Sequence, residues 1–382
     1  MKILTALFVK DKKENSFDKI FLITVILLTA YGSIMVFTSG YAYARFRYDD
    51  AFYFIKRQII WATLGIVIML GVSRISSSVF KRISWQAYVI TLALLLLTLL
   101  VGFVGNGAKR WISIGPITVQ PSEIAKLTMV MMLAWYFDKN EERALSYARG
   151  REPFIYGTLL PFMIMLAPIL LVMLQKHLSC IIILGMIGLL LITMSGISLK
   201  YITAFVSFCI AGASYIAFFT DYTTDRITVW QNPEAYKLTG GWQTLQGLMA
   251  IGSGGLIGKG LGQGELKHCY VSEPANDMIF AILCEELGLV GALVALILFG
   301  ILIYRGYRIG FACQSIYERL LCIGISTKIA IQTLLNVAVV TNTIPNTGIS
   351  LPFFSYGGSS LLMLFIEMGI ILSISKTVRI RR

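Results

Sequence analysis

Residues 20–40, IFLITVILLTAYGSIMVFTSG, form an apolar run without a single charge. A helix of that length rises about 30 Å, the thickness of a bilayer's hydrocarbon core. Lys2, Lys10, Lys12, Lys13 and Lys19 come before or at its edge. The run is too long for the apolar stretch of a cleavable leader, so it reads as a signal-anchor that stays as the first span. Working outward, the same signature recurs at 55–73, 86–104, 122–137, 156–175, 178–197, 201–220, 278–304, 317–341 and 357–376. The fourth run is short and opens at Pro121-Ser122, where a proline suits a first helical turn. Composition agrees: 57% of the 382 residues are hydrophobic, only 14% are charged, and mean hydropathy is +0.76. That is too little charge to dress a water-facing exterior. The expected fold class is all-α: one polytopic membrane domain over 1–382 with about ten transmembrane helices. A large extracytoplasmic loop, 221–277, lies between spans seven and eight.

Net charge is +13, and the cations sit in short clusters between apolar runs. That distribution follows the positive-inside rule and argues against nucleic acid as a partner. With the N-terminus inside, 20 of the 33 Lys and Arg residues fall in cytoplasmic segments and 11 in outer loops. Lys126 and Lys328 lie within spans. Both termini are therefore expected on the cytoplasmic side, with Lys376, Arg379, Arg381 and Arg382 as a strong anchor. The six cysteines, Cys180, Cys209, Cys269, Cys284, Cys313 and Cys322, contain no CxxC and read as small apolar residues rather than ligands.

Four stretches stand out for chemistry. The first, 107–126 (GAKRWISIGPITVQPSEIAK), puts Lys109 and Arg110 outside and sets Glu123 and Lys126 one helical turn apart. It reads either as an interfacial anchor or as a cationic cradle for a phosphate-bearing ligand. The second, 252–264 (GSGGLIGKGLGQG), has a phosphate loop's glycines but fits neither nucleotide pattern. It is a set of turns or a flexible loop offering backbone N–H groups, with Lys259 in its middle.

The third, 271–288, places Asp277 at or near a helix N-terminus, where the dipole favours a carboxylate and Asn276 is a candidate cap. Glu285 and Glu286 follow two turns on, at a membrane depth where charge is costly. The fourth, 342–360 (NTIPNTGISLPFFSYGGSS), interrupts an uncharged stretch with two prolines and repeated glycines. Irregular backbone at that depth is buried in protein or lines a cavity. Lys328 and Glu367 lie inside spans nine and ten, as an ion pair or, more sharply, a proton relay.

Three of these motifs, RW…GP…QPSEIAK, EP…D…IFA…EELG and PNTGISLPFFSYGGSS, together resemble the SEDS proteins (shape, elongation, division and sporulation) over nearly the whole chain. The resemblance implies a peptidoglycan glycosyltransferase that polymerises lipid II outside the bacterial cytoplasmic membrane, in elongation, division or sporulation. A class B penicillin-binding protein transpeptidase and membrane lipids are the implied partners. It further implies that Asp277 is the essential acid. Arg110, Trp111, Gln120, Pro121, Ser122, Glu123 and Lys126 fall on the family's cavity motif, and Gln332 and Asn336 on polar positions. Many members carry His and Thr just before the acid, where this chain has Ala275 and Asn276.

The chemistry agrees with that implication. A donor outside the cell must be lipid-linked, with its activation carried as a pyrophosphate. The acceptor hydroxyl needs a base, for which Asp277 is the candidate. The leaving pyrophosphate needs positive charge, for which Arg110, Lys126 and Lys259 are candidates. Glu285, Ser355 and Tyr356 complete the substrate-binding set. No cofactor is demanded; a divalent cation, Mg or Mn, on Asp277 or Glu123 would share the charge, but two scattered carboxylates are weak grounds for a metal. The competing readings are a lipid II flippase and a non-catalytic scaffold for the transpeptidase.

Overall fold

The computed structural model describes residues 17–105, 108–115, 117–144, 154–194, 203, 207, 221–268, 270, 271 and 273–378. The predicted span at 201–220 apart from residues 203 and 207, the basic tail beyond 378, Cys209 and Cys269 lie outside these residues. In chain order the elements are α1 (Lys19–Tyr48), α2 (Tyr53–Val72), α3 (Ser77–Val101), β1 (Phe103–Gly105), β2 (Ala108–Ile114) and β3 (Ile117–Val119). There follow α4 (Pro121–Lys139), α5 (Glu141–Ala144), a π-turn (Ile155–Leu159) running into α6 (Leu160–Leu174), and α7 (Leu178–Met194). The rest are α8 (Asp221–Gln231), α9 (Trp242–Gly254), α10 (Ile279–Ala312), α11 (Ile316–Val340) and α12 (Gly358–Ser375).

Among the described residues, seven helices are long and apolar enough to cross a bilayer: α1, α2, α3, the π-turn with α6, α10, α11 and α12. α7 is a shorter apolar helix. α4 supplies a further candidate crossing although its first turn carries two charges, because it is wrapped by protein. Nearly every residue from Pro121 to Phe137 is buried, and its neighbours are α3, α6, α7 and α11. α11 is similarly enclosed, whereas α2 and α3 turn most of their apolar surface outward, as a lipid-facing helix does.

Local chemistry explains the ends of the helices. Asp18 caps α1, accepting from the Phe21 N–H at 2.9 Å, and Asp49 closes it in the left-handed conformation. Pro121 occupies the first turn of α4. α1 and α10 both run beyond the expected spans, to Tyr48 and Ala312. The polar stretch after α3 is not an open loop. It folds as a three-stranded antiparallel sheet, β1-β2-β3, with Phe103 opposite Trp111 and Ile112 opposite Val119. The expected long loop likewise contains two helices, α8 and α9.

Candidate active site

Asp277 lies in the turn just before α10, whose N-cap position is Met278. Asn276 does not cap this helix: its amide donates to Glu273 instead. The turn is gripped by three consecutive carbonyls. Tyr356 N–H donates to Ala275 O at 2.9 Å, Ser355 Oγ to Asn276 O at 2.7 Å, and Asn336 Nδ2 to Asp277 O at 2.9 Å. Ser355 Oγ also accepts from Leu351 N–H (2.7 Å), and Asn336 Nδ2 donates to Ile349 O (2.6 Å). The irregular segment before α12 therefore folds as the mould of the Asp277 turn, which is why its backbone can leave helical geometry at this depth.

The Asp277 carboxylate accepts a hydrogen bond from Gln243 Nε2 of α9 to Oδ2 at 3.3 Å. Its buried Oδ1 has no partner among the described residues. Burial, and secondarily the negative charge of Glu273, push its pKa up to about 6. A carboxylate with one oxygen unused and a pKa just below neutrality is matched to general-base work.

The first motif collects on the other side of the same segment. Glu123 and Lys126 form a buried pair at 2.7 Å. Lys328 donates to both oxygens of Glu367 at 2.6 and 2.8 Å, also buried. Glu123 and Lys328 line a small cavity of mixed polarity with Gln332, Ser350, Ser355 and Ser360 and with apolar residues such as Leu351, Phe353 and Leu364. Gln332 Nε2 donates to Ser350 O at 3.0 Å, so α11 holds this wall as well. Gln120 and Ser122 are buried at the start of α4, and Trp111 is half-buried on β2.

The Arg110 guanidinium donates to the carbonyls of Gln175 and Lys176 in the α6–α7 turn. Next in that turn, His177 Nδ1 lies 3.4 Å from Ser122 Oγ. Burial, then the charges of Arg110 and Lys126, drive the His177 pKa down to about 3, so it is a neutral imidazole at pH 7. Sequence reasoning missed His177. The available signal was a histidine in a polar turn, Gln175-Lys176-His177, between two apolar runs.

Lys259 and Glu285 form a separate cluster. Lys259 Nζ donates to Glu285 Oε1 at 3.1 Å, and the Glu265 and Leu266 N–H groups donate to the same carboxylate. Beside it, Lys267 pairs with Glu286 at 2.6 Å, both fully buried. The glycine stretch directs its amides to this cluster rather than outward. Lys259 N–H donates to Glu285 O at 3.0 Å, Gly260 N–H to Glu286 O at 2.9 Å, and Gly262 N–H to Glu286 Oε2 at 3.0 Å. Those N–H groups are therefore not offered to a phosphate. Thus Asp277, Ser355 and Tyr356 come together. Glu123 reaches the cavity wall and carries Lys126 beside it, Ser122 and Arg110 meet at the α6–α7 turn, and Lys259 and Glu285 form a cluster of their own.

No group of three or more His, Cys, Asp or Glu side chains is close enough to hold a metal among the described residues. Among the described residues Asp277 accepts from Gln243, and Glu123 is ion-paired with Lys126. Cys180, Cys284, Cys313 and Cys322 are buried free thiols.

Known proteins resemble this chain over nearly its whole length. The family model described as cell cycle protein, FtsW/RodA/SpoVE, matches residues 18–380. Stage V sporulation protein E of Bacillus subtilis is 36% identical over 369 residues, covering 96% of this chain and 99% of that protein. A probable peptidoglycan glycosyltransferase FtsW of Geobacter metallireducens is 33% identical over 371 residues, covering 96% and 97%. Among solved structures, a chain from a peptidoglycan synthase complex that coordinates polymerization and crosslinking superposes with a TM-score of 0.78 at 24% identity, covering 95% of this chain and 98% of that one. Rod shape determining protein RodA of Thermus thermophilus superposes with a TM-score of 0.70 at 23% identity, covering 96% and 99%. These two likenesses speak to the fold, a multi-pass helical membrane protein. Family match and sequence identity over the full length together establish that the chain belongs to the FtsW/RodA/SpoVE family of cell cycle proteins.

Proposed function

We propose that this chain is a peptidoglycan glycosyltransferase that polymerises lipid II into β1→4 glycan strands at the outer face of the cytoplasmic membrane. In this reading both termini are cytoplasmic and a class B penicillin-binding protein transpeptidase works beside it. The observation that carries the reading is Asp277: a rigidly held carboxylate, one oxygen unused, its pKa raised to about 6, at the polar-loop end of a membrane bundle. The names of its FtsW relatives support the reaction class. The excess of Lys and Arg in the segments assigned to the cytoplasm supports the orientation.

In the reaction, the acceptor GlcNAc 4-hydroxyl attacks C1 of the donor MurNAc. The new C1–O bond forms as the bond from C1 to the pyrophosphate oxygen breaks, with inversion. Asp277 takes the hydroxyl proton, and the polyprenyl pyrophosphate departs with the electron pair. Arg110, held on the α6–α7 turn by the carbonyls of Gln175 and Lys176, is the candidate positive charge for the departing anion. Lys126 is already matched by Glu123, so the pair serves to fix the start of α4. The flippase reading rested on intramembrane charges. Here those charges close on one another, Lys126 with Glu123 and Lys328 with Glu367, which favours a static scaffold over a moving one.

The test is Asp277→Asn, which keeps size and removes the base. With purified protein and lipid II in detergent, glycan synthesis should fall at least ~100-fold. Polymerisation at the normal rate would remove Asp277 from the mechanism.

A further inference from the structure

The cations expected to receive the pyrophosphate are largely engaged. Lys126 is paired with Glu123, Lys259 with Glu285, and Arg110 lies on the α6–α7 turn. One guanidinium outside that set reaches the Asp277 turn through a single residue. Arg57, in the first turns of α2, sits over the Tyr53 ring at 4.1 Å from its centroid, with its positive charge beside the Tyr356 hydroxyl. Tyr53 is itself stacked on Tyr48, with centroids 3.8 Å apart. Tyr356 is buttressed edge-on by Phe54 at 4.8 Å, and its N–H holds Ala275 O at 2.9 Å, two residues from Asp277. The neighbouring Lys56 is taken by Asp50 at 2.9 Å. No carboxylate among the described residues lies within ion-pair distance of Arg57. An exposed guanidinium held on two sides, with no acid opposite it, is arranged for an external anion.

The rest of α2 indicates what carries that anion. Ile60, Leu64 and Val67 are exposed and follow Arg57 at helical spacing, so they continue its face as an apolar stripe. An amphiphile lying along α2 would place its hydrocarbon on that stripe and its phosphate at the fork of Arg57, beside the Asp277 turn. We propose that Arg57, oriented by Tyr53 and Tyr356, binds the pyrophosphate of the lipid-linked donor. The inference rests on the glycosyltransferase reading and adds the route and the anion contact of its substrate. The same phosphate chemistry occurs in an ordinary phospholipid headgroup, so the experiment separates the two.

The probe is farnesyl pyrophosphate, compared with phosphatidylglycerol, in thermal unfolding of the purified full chain. Farnesyl pyrophosphate should stabilise the wild type, and Arg57→Gln should raise its half-saturating concentration about tenfold, the loss expected for one charge-assisted contact. In polymerisation, Arg57→Gln should raise half-saturating lipid II by a similar factor while leaving the acid limb of the pH profile in place. A loss of shape at the Asp277 turn would move that limb. If Arg57→Gln does not give folded protein, Arg57→Lys, which keeps charge but not the fork, should show about a threefold effect in the same measurements. Equal stabilisation by phosphatidylglycerol, lost equally in the variant, would make this a headgroup anchor and overturn the proposal. So would a wild type that polymerises while Arg57→Gln binds farnesyl pyrophosphate unchanged. A wild type that binds the probe through Arg57 yet makes no glycan would instead sink the glycosyltransferase reading and leave the site standing.

Discussion

At the scale of single residues, Asp277 owes its character to where the chain closes around it. Burial is the larger cause of its raised pKa and the Glu273 charge the smaller. A base with a pKa near 6 is protonated, and idle, below that pH, so glycan synthesis should fall as pH drops through about 6. Glu273→Gln removes a like charge, which makes the carboxylate easier to ionise and lowers its pKa. The acid limb should shift downward and remain above the ordinary carboxylate range, because burial persists. Initial rates from lipid II between about pH 5 and 8 would show this; an unmoved or rising limb would mean that another group sets it. Asp277, Ser355 and Tyr356 were legible as members of family motifs. Their bonding was not: Gln243 is 34 residues upstream of Asp277, and Ser355 is 79 residues from Asn276. His177 and Arg57 belong to no quoted motif, and only the fold brings them near Ser122 and Tyr356.

At the scale of elements, the informative feature is the break in α10 at Gly288, which has φ 65° and ψ −163°. The helix is interrupted nine residues in, about 14 Å along its axis, where unpaired backbone groups are costly. The glycine stretch repairs the break. Lys259 and Gly260 donate to the carbonyls of Glu285 and Glu286, while Leu289 and Val290 donate to Gly255 and Leu256 at 3.0 and 3.1 Å. Gly258 (φ 87°) and Gly288 must both lack a side chain, since a Cβ on either would strike the other strand of this clasp. The sequence showed glycines that fit no nucleotide pattern and two glutamates at a costly depth. It could not show that each explains the other, because the contact spans some twenty residues of turns. Lys267→Met should leave Glu286 buried without its cation and destabilise the chain by about 3–5 kcal/mol. The double variant Lys267→Met/Glu286→Leu should recover most of that loss in thermal unfolding. Equal stability of the single variant and the wild type would show that water reaches Glu286.

For the whole molecule, the hydropathy pattern located the crossings well, since lipid as solvent leaves a long unbroken signature. It gave α4 as a short run, 122–137, and the helix is Pro121–Lys139; a helix enclosed by other helices can be short and carry Glu123 and Lys126. The polar contacts then divide into two ends. At one, Arg305 pairs with Asp18, Tyr317 N–H donates to Asp138, and Lys376 Nζ donates to Ser73 O. At the other, Arg110 meets the α6–α7 turn, Trp230 Nε1 donates to Asn342 O, and Gln243 meets Asp277. Successive crossings must alternate between these ends, so fixing one loop fixes them all. In the proposed orientation, which rests on the positive-inside count, the Asp277 end lies outside. In a cysteine-depleted chain in intact cells, Leu238→Cys should therefore react with a membrane-impermeant maleimide, and Arg82→Cys only after permeabilisation. Ile257→Cys should stay unlabelled in both conditions although Ile257 is 81% exposed in the isolated chain, if the clasp, which seats it at the level of Leu289 and Val290 of the apolar α10, sits in the hydrocarbon. Labelling of Arg82→Cys from outside would invert the molecule and place Asp277 in the cytoplasm, which the outer-face polymerase cannot survive. Labelling of Ile257→Cys from outside would leave the orientation intact and lift the glycine clasp out of the membrane.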